Sequence, residues 1–182
     1  MTRTGGYFAA ALVALTASAA HAAGGAPQQL LNKTVTMSWT TSGTATSADG
    51  HSKPFTNANT RTVYISSAGR PFLRMNLSST RASRGTYDSR GGDRGPDDTG
   101  RGSVRFEPGK LVGVETFASG ARQFIATFDG SYSSCTLSVV DAKAGNAAIM
   151  RRGPDGAMYK VENATTGGQS CAIQAGNTFA GQ

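Results

Sequence analysis

Histidine is almost missing from this chain, which has two, and one of them, His21, sits at the end of an apolar leader. That leaves His51 for the body of the protein. A histidine-based zinc site needs partners that are absent, and neither a His-Glu-x-x-His nor a Gly-x-Ser-x-Gly arrangement occurs. A serine or cysteine nucleophile would have to use His51, which lies in a Gly/Ser/Asp-rich stretch without a rigid strand-to-helix frame. Gly100-x-Gly102 has Arg105 where a dinucleotide fingerprint needs its third glycine, and no phosphate loop is present. No cofactor, metal or catalytic residue is nominated by these patterns.

Leucine, glutamate and lysine are sparse while Gly, Ser, Thr and Ala abound, a balance that disfavours helices and suits strands and turns. Outside the leader no apolar period of 3.6 persists for three turns. Cysteine is also scarce. Cys135 and Cys171 are the only two, far from a redox Cys-x-x-Cys spacing, and one connectivity is possible. The expectation is a structural disulfide, Cys135 to Cys171, in an oxidising compartment.

Long apolar runs are confined to the amino end. Arg3 precedes an apolar or small run from Tyr7 to Ala20, broken by Thr16 and Ser18, and Ala20-His21-Ala22 supplies a small-x-small cleavage pattern. This reads as a signal peptide over residues 1 to 22 rather than a spanning helix, and predicts a periplasmic or secreted protein with no later membrane span. About 160 residues then remain, enough for one domain over 23–182.

Period-two alternation marks the strands. Val35, Met37 and Trp39 are apolar between Thr34, Thr36, Ser38 and Thr40, and the pattern returns at Val63 and Ile65 and at Leu73, Met75 and Leu77, with Ser67-Ala68-Gly69 as a hairpin turn. From Val104 on, short runs at Leu111 to Phe117, Gln123 to Phe128, Tyr132 to Val140, Ala147 to Arg151, Ala157 to Glu162 and Cys171 to Ile173 alternate with Pro108-Gly109, Ser119-Gly120, Asp129-Gly130, Gly145-Asn146 and Pro154-Asp155-Gly156. The reading is all-β: an antiparallel meander closing into a small barrel, with a β-sandwich as the alternative. Two polar stretches interrupt it, residues 42–59, read as a loop or poorly defined hairpin, and residues 78–102, read as a mobile Arg/Gly-rich loop.

Charge is uneven. The formal net charge is +7, and Arg61, Arg70, Arg74, Arg81, Arg84, Arg90, Arg94, Arg101 and Arg105 crowd one segment, opposed by Asp88, Asp93, Asp97 and Asp98. Arginine forks bind phosphate, sulfate and carboxylate through paired hydrogen bonds, so Arg81, Arg84, Arg90, Arg94 and Arg101 are the candidate anion-binding residues. Their partner is expected to be an anionic polymer or envelope component. The arginine-glycine steps resemble single-strand nucleic-acid segments, but only Tyr87 offers a stacking ring and export removes the chain from nucleic acid. Interleaving arginines and the wrong spacing argue against calcium at the four aspartates.

Trp39, on the apolar face of the first strand, is core or the wall of a pocket, and the second would make the protein a carrier of a small apolar ligand. Glu107, Glu115, Asp129 and Glu162 are carboxylates by type, Glu107 and Asp129 beside turns, Glu115 and Glu162 on wet strand faces. Finally, Phe128-Asp129-Gly130-Ser131-Tyr132-Ser133-Ser134-Cys135, Ser170-Cys171-Ala172-Ile173, Gly176-Asn177-x-Phe179 and Val63-x-Ile65-Ser66-Ser67-Ala68-Gly69-Arg70 resemble a pattern in small exported proteins of alphaproteobacteria. The resemblance implies export and a shared small β domain, and carries over no functional residue.

Overall fold

The alternation at Val35, Met37 and Trp39 opens a strand, β1 (Lys33–Thr46), that runs well beyond its apolar residues. The computed structural model describes residues 25–81, 85–90, 102–117, 120–143, 149–152 and 157–179. Past Trp39 the outward positions of β1 continue as Thr40, Ser42, Thr44 and Thr46, residues with little helical competition and good strand propensity. β1 turns at Gly50, whose φ of 83° suits the reversal, into β2 (Ser52–Ile65). The two pair without a break from Lys33↔Ile65 to Thr46↔Ser52. Residues 42–59 are therefore a strand hairpin rather than a loop. Of their inward positions Ala45 and Phe55 are apolar but Gly43, Asn57 and Asn59 are not, which hides the period from a hydrophobicity reading.

β3 (Pro71–Arg81) follows the expected Ser67-Ala68-Gly69 turn and pairs with β2, and β4 (Gly85–Arg90) pairs back on β3. Part of the segment read as a 78–102 loop is thus strand; residues 82–84 and 91–101 of it lie outside the described residues. β5 (Gly102–Glu107), β6 (Lys110–Phe117), β7 (Gly120–Phe128) and β8 (Cys135–Lys143) form a meander, with Gly109 at φ 69° in the first reversal. β9 (Ile149–Arg152) and β10 (Met158–Ala175) are the last strands among the described residues. The turns read at Gly145-Asn146 and Pro154-Asp155-Gly156 lie outside the described residues.

The fold is all-β and antiparallel, and its closure is the sandwich alternative rather than the barrel. One sheet has the order β4-β3-β2-β1-β10-β9 and the other β5-β6-β7-β8. The reason is β10, which returns to pair with β1 and so completes the larger sheet instead of extending the meander beyond β8. Two runs expected separately, Ala157 to Glu162 and Cys171 to Ile173, are one strand. It is interrupted by register shifts opposite Ser38/Thr40 and Ser42/Thr44. Gly168 (φ 59°) and Asn163 (φ 50°) supply the left-handed residue within each bulge.

The two inner faces make one core, Leu30, Val35, Met37, Trp39, Val63, Ile65 and Leu73 meeting Phe106, Leu111, Phe124, Ala126 and Phe128. Tyr132 joins it from a loop, not from the strand start expected of it. The Asp129 carboxylate accepts from the Ser131 and Ser133 hydroxyls and from the Ser133 and Ser134 amides, which closes the loop and turns Tyr132 left-handed, its ring 5.3 Å from Phe128. At the other end Gly176 donates to the Asn32 carbonyl at 2.8 Å and the Thr34 hydroxyl donates to the Gly176 carbonyl at 2.7 Å, anchoring the last described residues beside β1.

Gly113 on β6 stands opposite Phe124 on β7, and the ring lies on its backbone: an added Cβ would meet ring carbons at 1.9 Å. Gly113→Ala is expected to destabilise the fold by about 1–3 kcal/mol through overpacking. Urea unfolding should show Phe124→Leu recovering part of that loss in the Gly113→Ala background; no recovery would mean that the ring is not what Gly113 accommodates.

Candidate functional site

Between the sheets the apolar core gives way to a buried polar cluster. It begins at Trp39, inward on β1 as its alternation predicts and 1% exposed. On β2 the phase of Ile65 and Val63 continues inward to Arg61 and Asn59, both buried. Across the smaller sheet, Glu115 on β6, Arg122 on β7 and Asp141 on β8 share one rung.

Arg61 reaches from the larger sheet to the smaller. Its Nε donates to Glu115 Oε1, and its Nη1 donates to the Thr60 carbonyl at 2.9 Å and the Asn76 carbonyl at 3.1 Å. Arg61 and Glu115 side chains are 7% and 6% exposed. Glu115 is therefore an inter-sheet partner and not a wet-face residue. Val112 and Leu111 are both buried, so apolarity does not reveal which face of β6 points inward, and Gly113 gives no help. Arg122 meets Asp141 by a two-bond fork, 2.8 Å from Nε and 3.0 Å from Nη2. Pairing offsets part of the cost of burying Arg61, Glu115 and Arg122, while the Asp141 side chain stays 24% exposed.

Trp39 is packed into this arrangement. The Arg61 guanidinium stands 5.1 Å and that of Arg122 5.8 Å from its ring centroid, and Phe124 stacks at 6.1 Å. Cations over the indole face and an offset aromatic neighbour are both favourable contacts. The indole edge is different: Trp39 Nε1 has no partner among the described residues, and neither has Thr41 Oγ1, the next inward position of β1.

The other residues singled out by sequence are dispersed. Cys135 on β8 and Cys171 on β10 form the expected disulfide, with Cα atoms 5.5 Å apart, and the Val139 amide donates to Gln169 Oε1 at 3.1 Å beside it. Together they hold the edge of the smaller sheet to the larger. Arg81 pairs with Gly85 and Arg90 with Asn76, opposite ends of the β3–β4 ladder, so their backbones are not brought together. Arg84, Arg94 and Arg101 lie outside the described residues. Of the remaining arginines in that segment, Arg61 is spent in the core, Arg105 binds Glu107 at 2.7 Å, and Arg74 lies 4.4 Å over the Phe179 ring.

The remaining carboxylates also bond inside the chain. Hydroxyls of Ser131 and Ser133 and backbone amides hold Asp129 far below the ordinary carboxylate range. The Lys160 ammonium, 2.7 Å away, and the Thr46 hydroxyl lower Glu162. The Ser47 hydroxyl foremost, with His51, lowers Asp49. His51 itself is an exposed turn residue 3.8 Å from Asp49. Among the described residues no group of His, Cys, Asp and Glu has the grouping that would hold a metal ion.

Arg61, Glu115, Arg122 and Asp141 are the polar centre that a motif search misses. Arg61 was nevertheless legible, because the Val63 and Ile65 period carried two residues back lands on it. Comparison with family models, with curated proteins and with solved structures finds no match, so the functional reading rests on these residues themselves.

Proposed function

We propose that this chain is an exported, non-catalytic binding module, periplasmic or secreted, that contacts an anionic polymer or envelope component through its arginine-rich segment. The disulfide belongs to an oxidising environment outside the cytoplasm, which agrees with the signal-like leader. One observation carries the anionic partner. Every carboxylate whose side chain is described is bonded within the chain: Asp49, Glu107, Glu115, Asp129, Asp141 and Glu162. The formal charge of +7, about +6 once Arg3 leaves with the leader, favours an anionic partner.

Arg81, Arg84, Arg90, Arg94 and Arg101 are the contact residues in this reading, with guanidinium forks matched to sulfate, phosphate or carboxylate groups. Asp88, Asp93, Asp97 and Asp98 interleave with them, which favours a partner read group by group over one held by bulk charge. Replacing the five arginines together by glutamine should abolish retention on dextran sulfate at low ionic strength while leaving the thermal midpoint in place. Unchanged retention would reject the segment as the contact.

A further inference from the structure

A second site, separate from the arginine-rich segment, follows from the polar atoms left over in the interior. Trp39 is 1% and Thr41 5% exposed, yet the indole Nε1 and the Thr41 hydroxyl have no hydrogen-bond partner among the described residues. Buried donors are nearly always paired, and each orphan lowers stability. The two are successive inward positions on one strand, so they border the same part of the interior. Across the β1–β2 ladder they face Asn59 and Asn57, which makes this part polar on both strands.

The place in the fold matters as much as the atoms. The β6–β7 ladder ends at Phe117↔Gly120, just past the Glu115↔Arg122 rung, whereas β1–β2 runs on from Trp39↔Asn59 to Thr46↔Ser52. The larger sheet therefore continues roughly 15 Å beyond the smaller one at about 3.3 Å per residue. Trp39 and Thr41 stand past the Glu115↔Arg122 rung, and the inward residues beyond them, Ala45 and Phe55, are buried as well, at 6% and 8% exposed. The aromatic faces of Trp39 are taken by Arg61, Arg122 and Phe124, and its buried N–H edge is the part left without a partner among the described residues.

We infer that this end of the sandwich interior binds a small organic molecule through an acceptor oxygen, a carbonyl or a carboxylate, held by the Trp39 indole N–H and the Thr41 hydroxyl. Two donors beside two guanidinium groups select an acceptor over a donor. Glu115 and Asp141 already neutralise those guanidinium groups, so an uncharged carbonyl is accommodated as readily as a carboxylate. The apolar part of the ligand would lie on the inner face of β1 and β2 toward Phe55, which is buried against Gly43.

Trp39 is the only tryptophan, so one indole N–H resonance reports on the site. Titrating the oxidised, ¹⁵N-labelled protein with propionamide and, separately, propionate should move that cross-peak saturably with at least one probe, and the responding arm identifies the acceptor. Thr41→Val should weaken the response at least tenfold. In the free protein, the same change should raise the folding equilibrium constant about tenfold, since it deletes an unpaired buried hydroxyl. A stationary peak with both probes, an undiminished response in Thr41→Val, or a less stable Thr41→Val protein would each overturn the inference. So would a high-resolution crystal structure with only water on Nε1 and Oγ1.

Discussion

Glu115→Ala is expected to lower folding stability by about 3–5 kcal/mol, because it leaves the Arg61 guanidinium charged and buried without its partner. The pair spans the two sheets with side chains 7% and 6% exposed, so water does not replace the lost carboxylate. A charge-free replacement behaves differently. In Arg61→Met/Glu115→Leu both desolvation penalties vanish together, and stability should return to within about 1–2 kcal/mol of the natural chain. The Thr60 and Asn76 carbonyls lose their Arg61 donor in that variant, which sets the residual deficit. Urea denaturation of the three proteins decides it. If Glu115→Ala and the double variant unfold at the same midpoint, the buried charge is not what the single substitution exposes.

Removing the disulfide by Cys135→Ala/Cys171→Ala should lower stability by about 4 kcal/mol in the chain-entropy model, since the bridge closes a loop with a sequence separation of 36. The loss is larger than a generic cross-link would suggest in one respect. β8 is the edge of the smaller sheet and β10 lies in the larger, so the bridge also fixes one sheet to the other. Hydrogen exchange in the reduced protein should accelerate first along β8 and at the Val139 amide that donates to Gln169. The denaturant slope should rise, because the unbridged unfolded chain exposes more surface. Equal midpoints for oxidised and reduced protein would show that the bridge adds nothing to the packed sandwich.

Much of the strand content could be read from alternation, and the places where it failed share a cause. Val35, Met37 and Trp39 announce β1, and Val63 and Ile65 announce β2, because their inward residues are apolar. The same strands go on through Thr41, Gly43, Asn57 and Asn59, where inward positions are polar or small and the period is invisible to hydrophobicity. The two stretches of β10 looked like separate runs because bulges at Asn163 and Gly168 shift its phase twice. Barrel or sandwich could not be decided from runs and turns. The deciding contact, β10 on β1, joins strands more than a hundred residues apart with no turn between them to signal it.

The polar centre was hidden for a related reason. Arg61 was counted with its basic neighbours by charge, and Glu115 was placed in water by type, whereas the rung each occupies puts both between the sheets. Charge composition described the segment; strand phase decided which charges are surface. The pairing Cys135 to Cys171 was legible because two cysteines leave one choice. Arg81, Arg84, Arg90, Arg94 and Arg101 keep the role proposed for them from their chemistry as guanidinium groups in an otherwise small-residue segment.

The binding reading stands or falls on one measurement: the affinity of the oxidised protein for dextran sulfate as a function of salt. Five arginine contacts predict an affinity that falls on the order of a hundredfold between about 50 and 200 mM salt, by release of ions from the polymer. In the variant with glutamine at Arg81, Arg84, Arg90, Arg94 and Arg101, both the affinity and its salt slope should collapse. An affinity that is indifferent to salt, or a slope that survives the five substitutions, would contradict the account.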